Sequence, residues 1–329
     1  MQYRKLGKTD IDVSVMALGC WPFAGGKVWG EQSDDDSIAT VYASLDAGIN
    51  FFDTAEGYEA GHSERVLGRG LLGRRDEAVI ATKVSPSHLA AGDVIAACEQ
   101  SLRNLQTDVI DLYQIHWPNW AVPLDETVGA LETLQRQGKI RAIGVSNFGV
   151  QDLSAILELT AVVTDQMPFS LLWRVIEAEV QPLCVERGVG IICYSPLAQG
   201  LLTGRYASAD DVPEGLARTR LYAGSRPQSQ HGEAGCEAEV FAALAEIRRI
   251  ADGLDQPMAA VALAWVRQQA GVTSFLVGAR KPEELAWNLP SLELELSAEI
   301  VAELNRVTEP VKRALGSNPD PWMSPSRMR

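Results

Sequence analysis

Short apolar runs along the chain end abruptly in a polar or ionisable residue, and between them apolar positions recur every three or four residues. Phe51-Phe52 empties into Asp53, Ala78-Val79-Ile80-Ala81-Thr82 into Lys83, and Val109 to Ile115 into His116. Ala142-Ile143-Gly144-Val145 leads into Ser146-Asn147, and Gly190 to Tyr194 into Ser195. Runs of this length read as strands buried on both faces. The residue closing each run must face water or find a partner, because an unpaired buried charge is costly. With Val15 to Gly19, Val162 to Met167 and Thr273 to Val277 the pattern gives eight strands. The intervening segments read as helices: Ser37 to Ala47 carries Ile38, Val41, Tyr42 and Leu45 on one face and stops at Gly48. Ser63 to Leu72, Gly92 to Leu105, Leu124 to Gln137, Val150 to Thr160, Val175 to Arg187 and Pro282 to Leu289 follow the same rule.

Parallel strands need crossover helices, and eight such units close on themselves. The fold expected is therefore α/β, a (β/α)8 TIM barrel. A turn-rich N-terminal β-hairpin precedes it, centred on Gly7-Lys8-Thr9-Asp10, and two extra helices and long loops decorate its C-terminal face. A doubly wound sheet would want a glycine-rich phosphate turn after the first strand, and Ala17-Leu18-Gly19-Cys20-Trp21-Pro22 lacks that spacing. With no linker and no shift of composition, residues 1–329 are expected to form a single domain in which 310–329 is a Pro-rich tail.

An apolar share of 46% is ample for one core. A net charge of −14 argues against nucleic acid or an anionic membrane as partner, since both are polyanions. No apolar segment approaches the roughly 20 residues that cross a bilayer, and no N-terminal run has the form of an export signal. Five scattered cysteines show no paired spacing for zinc or redox exchange, which suits free thiols in a reducing cytoplasm.

Groups at the carboxyl ends of parallel strands converge on one face of the sheet, where barrels of this kind hold their active sites. Asp53, Tyr58, Lys83 and His116 form such a set. They suit proton delivery to a carbonyl that is receiving a hydride. Tyr58 is the acid; a phenol near pKa 10 is a poor donor at neutral pH, and Lys83, held by Asp53, is expected to lower it by about 1 to 3 units. His116 is placed to orient the substrate oxygen. No second ligand follows His116 at metal spacing, so no metal is expected. His62 reads as structural, beside a Ser63 that could cap the next helix, whereas His88 and His231 have no evident partners. Trp21 and Trp29 suggest a ligand wall after the first strand, and Trp117 and Trp120 either line the pocket or pack on the barrel rim. Trp21, Trp29 and Trp117 are the candidate substrate contacts.

These motifs, in this order, resemble the aldo-keto reductases. The resemblance rests on Phe52-Asp53-Thr54-Ala55 with Tyr58, Gly61-His62-Ser63-Glu64, Ala81-Thr82-Lys83, Asp111 to His116, Gly144-Val145-Ser146-Asn147-Phe148, Tyr194-Ser195-Pro196-Leu197 and Gly200-Leu201-Leu202-Thr203-Gly204. It implies a catalytic tetrad of Asp53, Tyr58, Lys83 and His116. It also implies a carboxamide site of Ser146, Asn147 and Gln166, with Tyr194 stacked on nicotinamide. Cofactor contacts extend by resemblance to Ser195, Leu197, Gly200, Leu202, Gly204 and Arg205. At the far end Gly278, Arg280, Lys281, Glu284 and Asn288 would meet the adenosine 2′-phosphate and adenine, near a helix start that favours an anion. Glu284 stands where many relatives carry Gln or Arg. NADPH is therefore expected to be preferred by a modest margin, with NADH accepted.

The implied reaction is reduction of an aldehyde or ketone, or the reverse oxidation of an alcohol or sugar. The rival reading is a cofactor-binding regulatory or channel-associated subunit with little turnover. Substrate identity lies in loops whose shapes the sequence does not give, and oligomeric state is open. The stretch Arg205 to Gly235 is expected to be a mobile segment that orders over bound cofactor.

Overall fold

The computed structural model describes residues 1–329, the side chains of Lys27 and Val28 excepted. Strands β1 (Tyr3–Lys5) and β2 (Asp12–Ser14) pair antiparallel as a hairpin. The next eight strands are β3 (Met16–Gly19), β4 (Phe51–Asp53), β5 (Val79–Val84), β6 (Ile110–Ile115), β7 (Ile140–Ser146), β8 (Thr164–Pro168), β9 (Gly190–Tyr194) and β10 (Val272–Gly278). They pair parallel in chain order, and β10 closes back on β3. Helices alternate with them on the outside, so the eight strand-and-helix units expected from the pattern are present. No helix among the described residues is long and apolar enough to cross a membrane.

The alternation of side chains along each strand sorts the barrel into two cores. Ala17, Phe51, Val79, Ala81, Leu112, Ala142, Ile192 and Leu276 pack together inside, and Leu6, Ile11 and Val13 of the hairpin close the N-terminal end. Gly7, at φ +54°, lets the hairpin turn lie against β8, where a Cβ would collide with the Val163 carbonyl oxygen. The opposite parity, including Leu18, Phe52, Ile80, Tyr113, Ile143 and Cys193, faces the helices. Continuing the inner parity by two residues from Phe51, Ala81 and Leu112 gives Asp53, Lys83 and Gln114. The barrel interior therefore turns from apolar to ionisable at its C-terminal end.

One boundary differs from expectation. The last helix does not end before the tail expected at 310–329 but runs Ala298–Leu315 with Pro310 inside it. Leu304, Val307, Val311 and Leu315 form one buried face of that helix, which packs on the helix Glu237–Gly253. Burying that face outweighs the roughly 3 kcal/mol that a mid-helix proline costs. The tail proper thus begins at Gly316, and it folds back over the C-terminal face of the barrel.

Candidate active site

The β4 ladder continues past Asp53, since Thr54 N–H donates to Ala81 O and Glu56 N–H to Lys83 O. The chain then turns at Ala55 to Tyr58, passes Glu59 and Ala60 at φ +48° each, and enters the helix His62–Gly70. Left-handed non-glycine residues in succession are strained and persist only where neighbours enforce them. The enforcement is visible: Ser63 Oγ donates to Cys20 O at 2.7 Å and meets Thr54 Oγ1 at 2.9 Å. Buried Glu64 accepts from Thr82 Oγ1 at 2.7 Å and Asn104 Nδ2 at 2.8 Å. Ser63 is therefore not the cap that its position suggested; Gly61 occupies that place. His62 is structural, its Nε2 2.9 Å from Asp34 Oδ1.

The structure brings all four tetrad candidates together. Lys83 Nζ donates to Asp53 Oδ1 at 2.6 Å and to Thr54 O at 2.8 Å, and lies 3.4 Å from the Tyr58 hydroxyl. The Tyr58 and His116 rings meet edge to face at 5.7 Å. Trp21 lies over the other side of Tyr58 at 6.1 Å, and Trp29 meets Trp21 edge-on at 5.3 Å.

The electrostatics depart from expectation in one respect. Burial pushes the Tyr58 phenol up from its ordinary value; the Lys83 ammonium pulls it down but does not win. For Lys83 itself burial acts to lower the pKa, and the Asp53 carboxylate and Tyr58 outweigh it, so the ammonium stays charged. Burial, and secondly the Lys83 charge, pull His116 down to about 3. At neutral pH the site therefore holds a protonated phenol, a fixed ammonium and a neutral imidazole.

Asp53 also has partners the motifs did not reveal. Its Oδ2 accepts from Gln166 Nε2 at 2.8 Å and from Gln114 Nε2 at 3.2 Å. Gln166, expected to read a carboxamide, thus spends its amide N–H on the tetrad's carboxylate. Gln114 was legible only as a polar residue on the inner parity of an apolar strand. Ser146 Oγ donates to Gln166 O, and Asn147, held at φ +63°, donates to His116 O, each at 3.0 Å. Tyr194 hydroxyl donates to Asn147 Oδ1 at 2.8 Å. The turn after β9 is strained in its turn, with Ser195, Ala198 and Gln199 all at positive φ. Leu197 packs against the core, and Leu202 is fully buried in it, so the Leu202 side chain is a packing element and not a cleft wall.

Beyond Trp29 an open cleft of about 1060 Å³ is lined by Ala24 to Gly26, Gly30 to Ser33, Asp36, Arg280 and Lys281. Gly278, at the end of β10, lies against the Pro22 ring. Arg280 is engaged from several sides: its backbone N–H donates to Glu284 Oε2 at 2.8 Å, its Nη1 to Trp29 O at 3.2 Å, and Gln32 Nε2 donates to Arg280 O at 2.9 Å. Lys281 Nζ lies 3.9 Å from Asp36. Asn288 donates to Glu284 O at 2.7 Å, bracing the helix end.

Polar contacts run through the stretch Arg205 to Gly235. Buried Arg220 donates to Glu233 and to the carbonyls of Leu315, Asn318 and Asp320, and His231 Nε2 meets Thr219 O at 3.1 Å. Arg226 is paired with Glu237 at 2.7 Å. Arg205 lies over the Tyr206 ring, and Arg218 lies over Trp322 at 4.8 Å with its Nε buried and unpartnered among the described residues. The tail also settles the place of the two tryptophans after His116: Arg327 covers Trp117 at 3.6 Å and Arg329 covers Trp120 at 4.2 Å. Arg327 is in turn held by buried Asp320 at 2.7 Å.

Together these groups fit an elongated anionic cofactor. Polar amides and a ring lie beside the tetrad, and a cleft with two cations is lined by Arg280 and Lys281. Among the described residues no group of His, Cys, Asp or Glu gathers to hold a metal.

The Aldo/keto reductase family model matches residues 15–309. The aldo-keto reductase YhdN of Bacillus subtilis (strain 168) is 32% identical, over 94% of each chain. The NADH-specific methylglyoxal reductase of Escherichia coli (strain K12) is 31% identical, over 94% of this chain and 98% of that one. The crystal structure of an aldo/keto reductase from Klebsiella pneumoniae in complex with NADP and acetate superposes with a TM-score of 0.72 at 31% identity, covering 90% of this chain and 92% of that one.

Proposed function

The chain belongs to the aldo/keto reductase family, and from that premise we propose that Tyr58 protonates, and His116 orients, the oxygen of an aldehyde or ketone. The protein is an NAD(P)H-dependent oxidoreductase of small carbonyl compounds. A reduced nicotinamide dinucleotide, when bound, supplies the hydride. The chain's residues do the rest. Neutral His116 presents a ring N–H to the carbonyl oxygen and fixes its direction. Tyr58 then gives that oxygen its proton, while the Lys83 ammonium, anchored by Asp53, stabilises the phenolate left behind. Trp21, Trp29 and Trp117 are proposed as the walls of the substrate space, with the Trp21 ring against Tyr58 excluding water from the reacting oxygen.

The observation that carries this reading is the Asp53–Lys83–Tyr58 chain of contacts beside a neutral His116. Ser146, Asn147 and Tyr194 are proposed to hold the nicotinamide end, with Ser195, Gly200, Gly204, Arg205 and Arg218 along the phosphates and Arg280 and Lys281 at the adenosine end. Glu31, Asp36 and Glu284 stand against those last two cations, which supports only a modest preference for NADPH over NADH. Five buried free thiols support a reducing compartment, the cytoplasm. Residues 1–329 are proposed to act as one domain. The relatives named above are called reductases, and the reading as a non-enzymatic subunit has no support from them.

The test is NADPH consumption with a panel of aldehydes, ketones and sugars, in the parent and in Tyr58→Phe. The variant should lose about 100-fold or more in kcat while binding cofactor nearly as before. Near-normal turnover in Tyr58→Phe would remove Tyr58 from the chemistry.

A further inference from the structure

The three loops that carry the candidate reacting groups all meet at one short turn, Ser85 to His88. That turn directly follows β5, so it is continuous with Lys83. From the Tyr58 loop, Glu56 reaches across: its Oε1 accepts from Ser85 N–H at 2.6 Å and lies 2.9 Å from His88 Nδ1. His88 thus has the partner that its sequence context did not reveal. From the His116 side, His116 N–H donates to Val84 O at 3.0 Å and Asn119 Nδ2 donates to Pro86 O at 2.7 Å. The Glu56 side chain is 14% exposed.

We propose that Glu56 is a positioning residue for the proton donor: it fastens the Tyr58 loop to the Ser85–His88 turn and so sets the distance from the Tyr58 hydroxyl to Lys83 and His116. Three observations lead to this. Among the described residues, the only backbone links from this loop to β5 are those of Thr54 and Glu56, both before the strained residues Glu59 and Ala60. A loop strained in the left-handed region relaxes unless it is held on both sides. Ser63 and Glu64 hold it from the helix side; from the strand side Lys83 holds Thr54 O and Glu56 holds the turn after β5. A backbone N–H donating to a carboxylate is among the stronger protein hydrogen bonds, and here it replaces the next rung of a ladder that β4 no longer supplies. Glu56 is not among the residues that line the cleft beyond Trp29, so its effect is expected on the phenol and not on cofactor binding there.

This inference rests on Tyr58 being the donor, and the test separates the two. Glu56→Ala is expected to lower kcat by about 10- to 100-fold, as displacement of a reacting group by an ångström does, with the dissociation constant for NADPH within about twofold of the parent. Glu56→Gln keeps an acceptor oxygen and should recover most of that loss. Ser85→Pro provides an independent route: Ser85 already sits at φ −67° and ψ 150°, so proline keeps the backbone while it deletes the donated N–H and the hydroxyl and its ring displaces the Glu56 carboxylate. It should lower kcat as Glu56→Ala does, and it decides the matter alone if Glu56→Ala does not fold. A reading free of turnover is the tyrosinate absorbance titration of Tyr58, taken as the difference from Tyr58→Phe. In Glu56→Ala it should move toward that of an ordinary exposed phenol, because burial is the larger influence on it. An unmoved titration together with parental kcat in Ser85→Pro overturns the proposal, and so does parallel loss of cofactor binding and kcat, which marks a collapsed cleft. If no carbonyl is reduced by the parent, the functional reading fails while the titration still tests Glu56.

Discussion

The Lys83 ammonium donates to Asp53 Oδ1 at 2.6 Å, with the two side chains 0% and 3% exposed. Two opposite charges sealed from water tolerate each other and little else. Breaking such a pair from one side leaves an uncompensated charge that costs about 3–5 kcal/mol. Lys83→Met should therefore lose both activity and stability, toward the low end of that range because Gln114 and Gln166 still donate to Asp53. Lys83→Met/Asp53→Asn removes the stranded charge and should regain stability without regaining turnover. Denaturant melts with assays on both variants check this; a fully stable Lys83→Met would mean that Asp53 is solvated or protonated in the folded protein.

The pH dependence follows from the protonation states of the two rings. With Tyr58 above its ordinary value and His116 down at about 3, neither group titrates near neutrality. Carbonyl reduction, which needs the protonated phenol, should be flat from about pH 5 to 9 and fall only beyond. Alcohol oxidation needs the phenolate and should climb with pH through the same range. An acid limb for reduction near pH 6 to 7 would assign a role to an imidazole other than His116.

At the proposed adenosine end Glu284 accepts from the Arg280 backbone and lies 3.5 Å from its guanidinium. Glu284→Gln should free that guanidinium for a phosphate and raise the ratio of kcat/KM for NADPH over NADH by about three- to tenfold. Arg280→Ala should raise KM for NADPH about tenfold or more with less effect on NADH, since a hydrogen bond to a charged group is worth about 1.5–3 kcal/mol. Equal weakening of both cofactors in Arg280→Ala would show that Arg280 does not read the 2′-phosphate.

Asp152 lies under the tail, where its Oδ2 accepts from Gly149 N–H at 3.3 Å and Arg329 N–H at 2.8 Å. Burial pushes its carboxyl from 3.8 up to about 6. The folded chain then holds the proton more tightly than the unfolded one. The stabilisation is complete below about pH 4 and is lost as pH rises through about 6. Asp152→Asn keeps one acceptor oxygen and carries no charge, so it should stabilise the protein at pH 7.5 by up to about 3 kcal/mol, since each tenfold difference in proton affinity between the folded and unfolded chain is worth about 1.4 kcal/mol. At pH 4 the gain should vanish. Melting curves at the two pH values decide, and a gain equal at both would mean that Asp152 does not titrate on unfolding.

Eight strands, their alternation with helices and the four ionisable residues at strand ends were determined by sequence alone. Local patterning has that power because a strand buried on both faces admits only apolar residues, and a charge at its end stands out against them. Gln114 shows the limit. Its polarity is visible in the run from Ile110 to His116, but that it donates to Asp53, sixty-one residues earlier, depends on strands β4 to β6 lying side by side with Lys83 beside Gln114. Pro310 shows another: its local preference ends a helix, and only packing against Glu237–Gly253 carries the helix past it. The charge states lie further out of reach. The Lys83–Tyr58 pairing was legible, yet whether the ammonium or the burial prevails at the phenol depends on how much water the folded site excludes. The tail's place over Trp117 and Trp120, and the reach of Glu56 to Ser85, likewise rest on distances between loops whose ends the barrel fixes. Sequence determined which groups arrive at the open end of the barrel, because that follows from side-chain periodicity; tertiary structure alone decided which of them touch and which keep their protons, because contact and desolvation are properties of the closed fold.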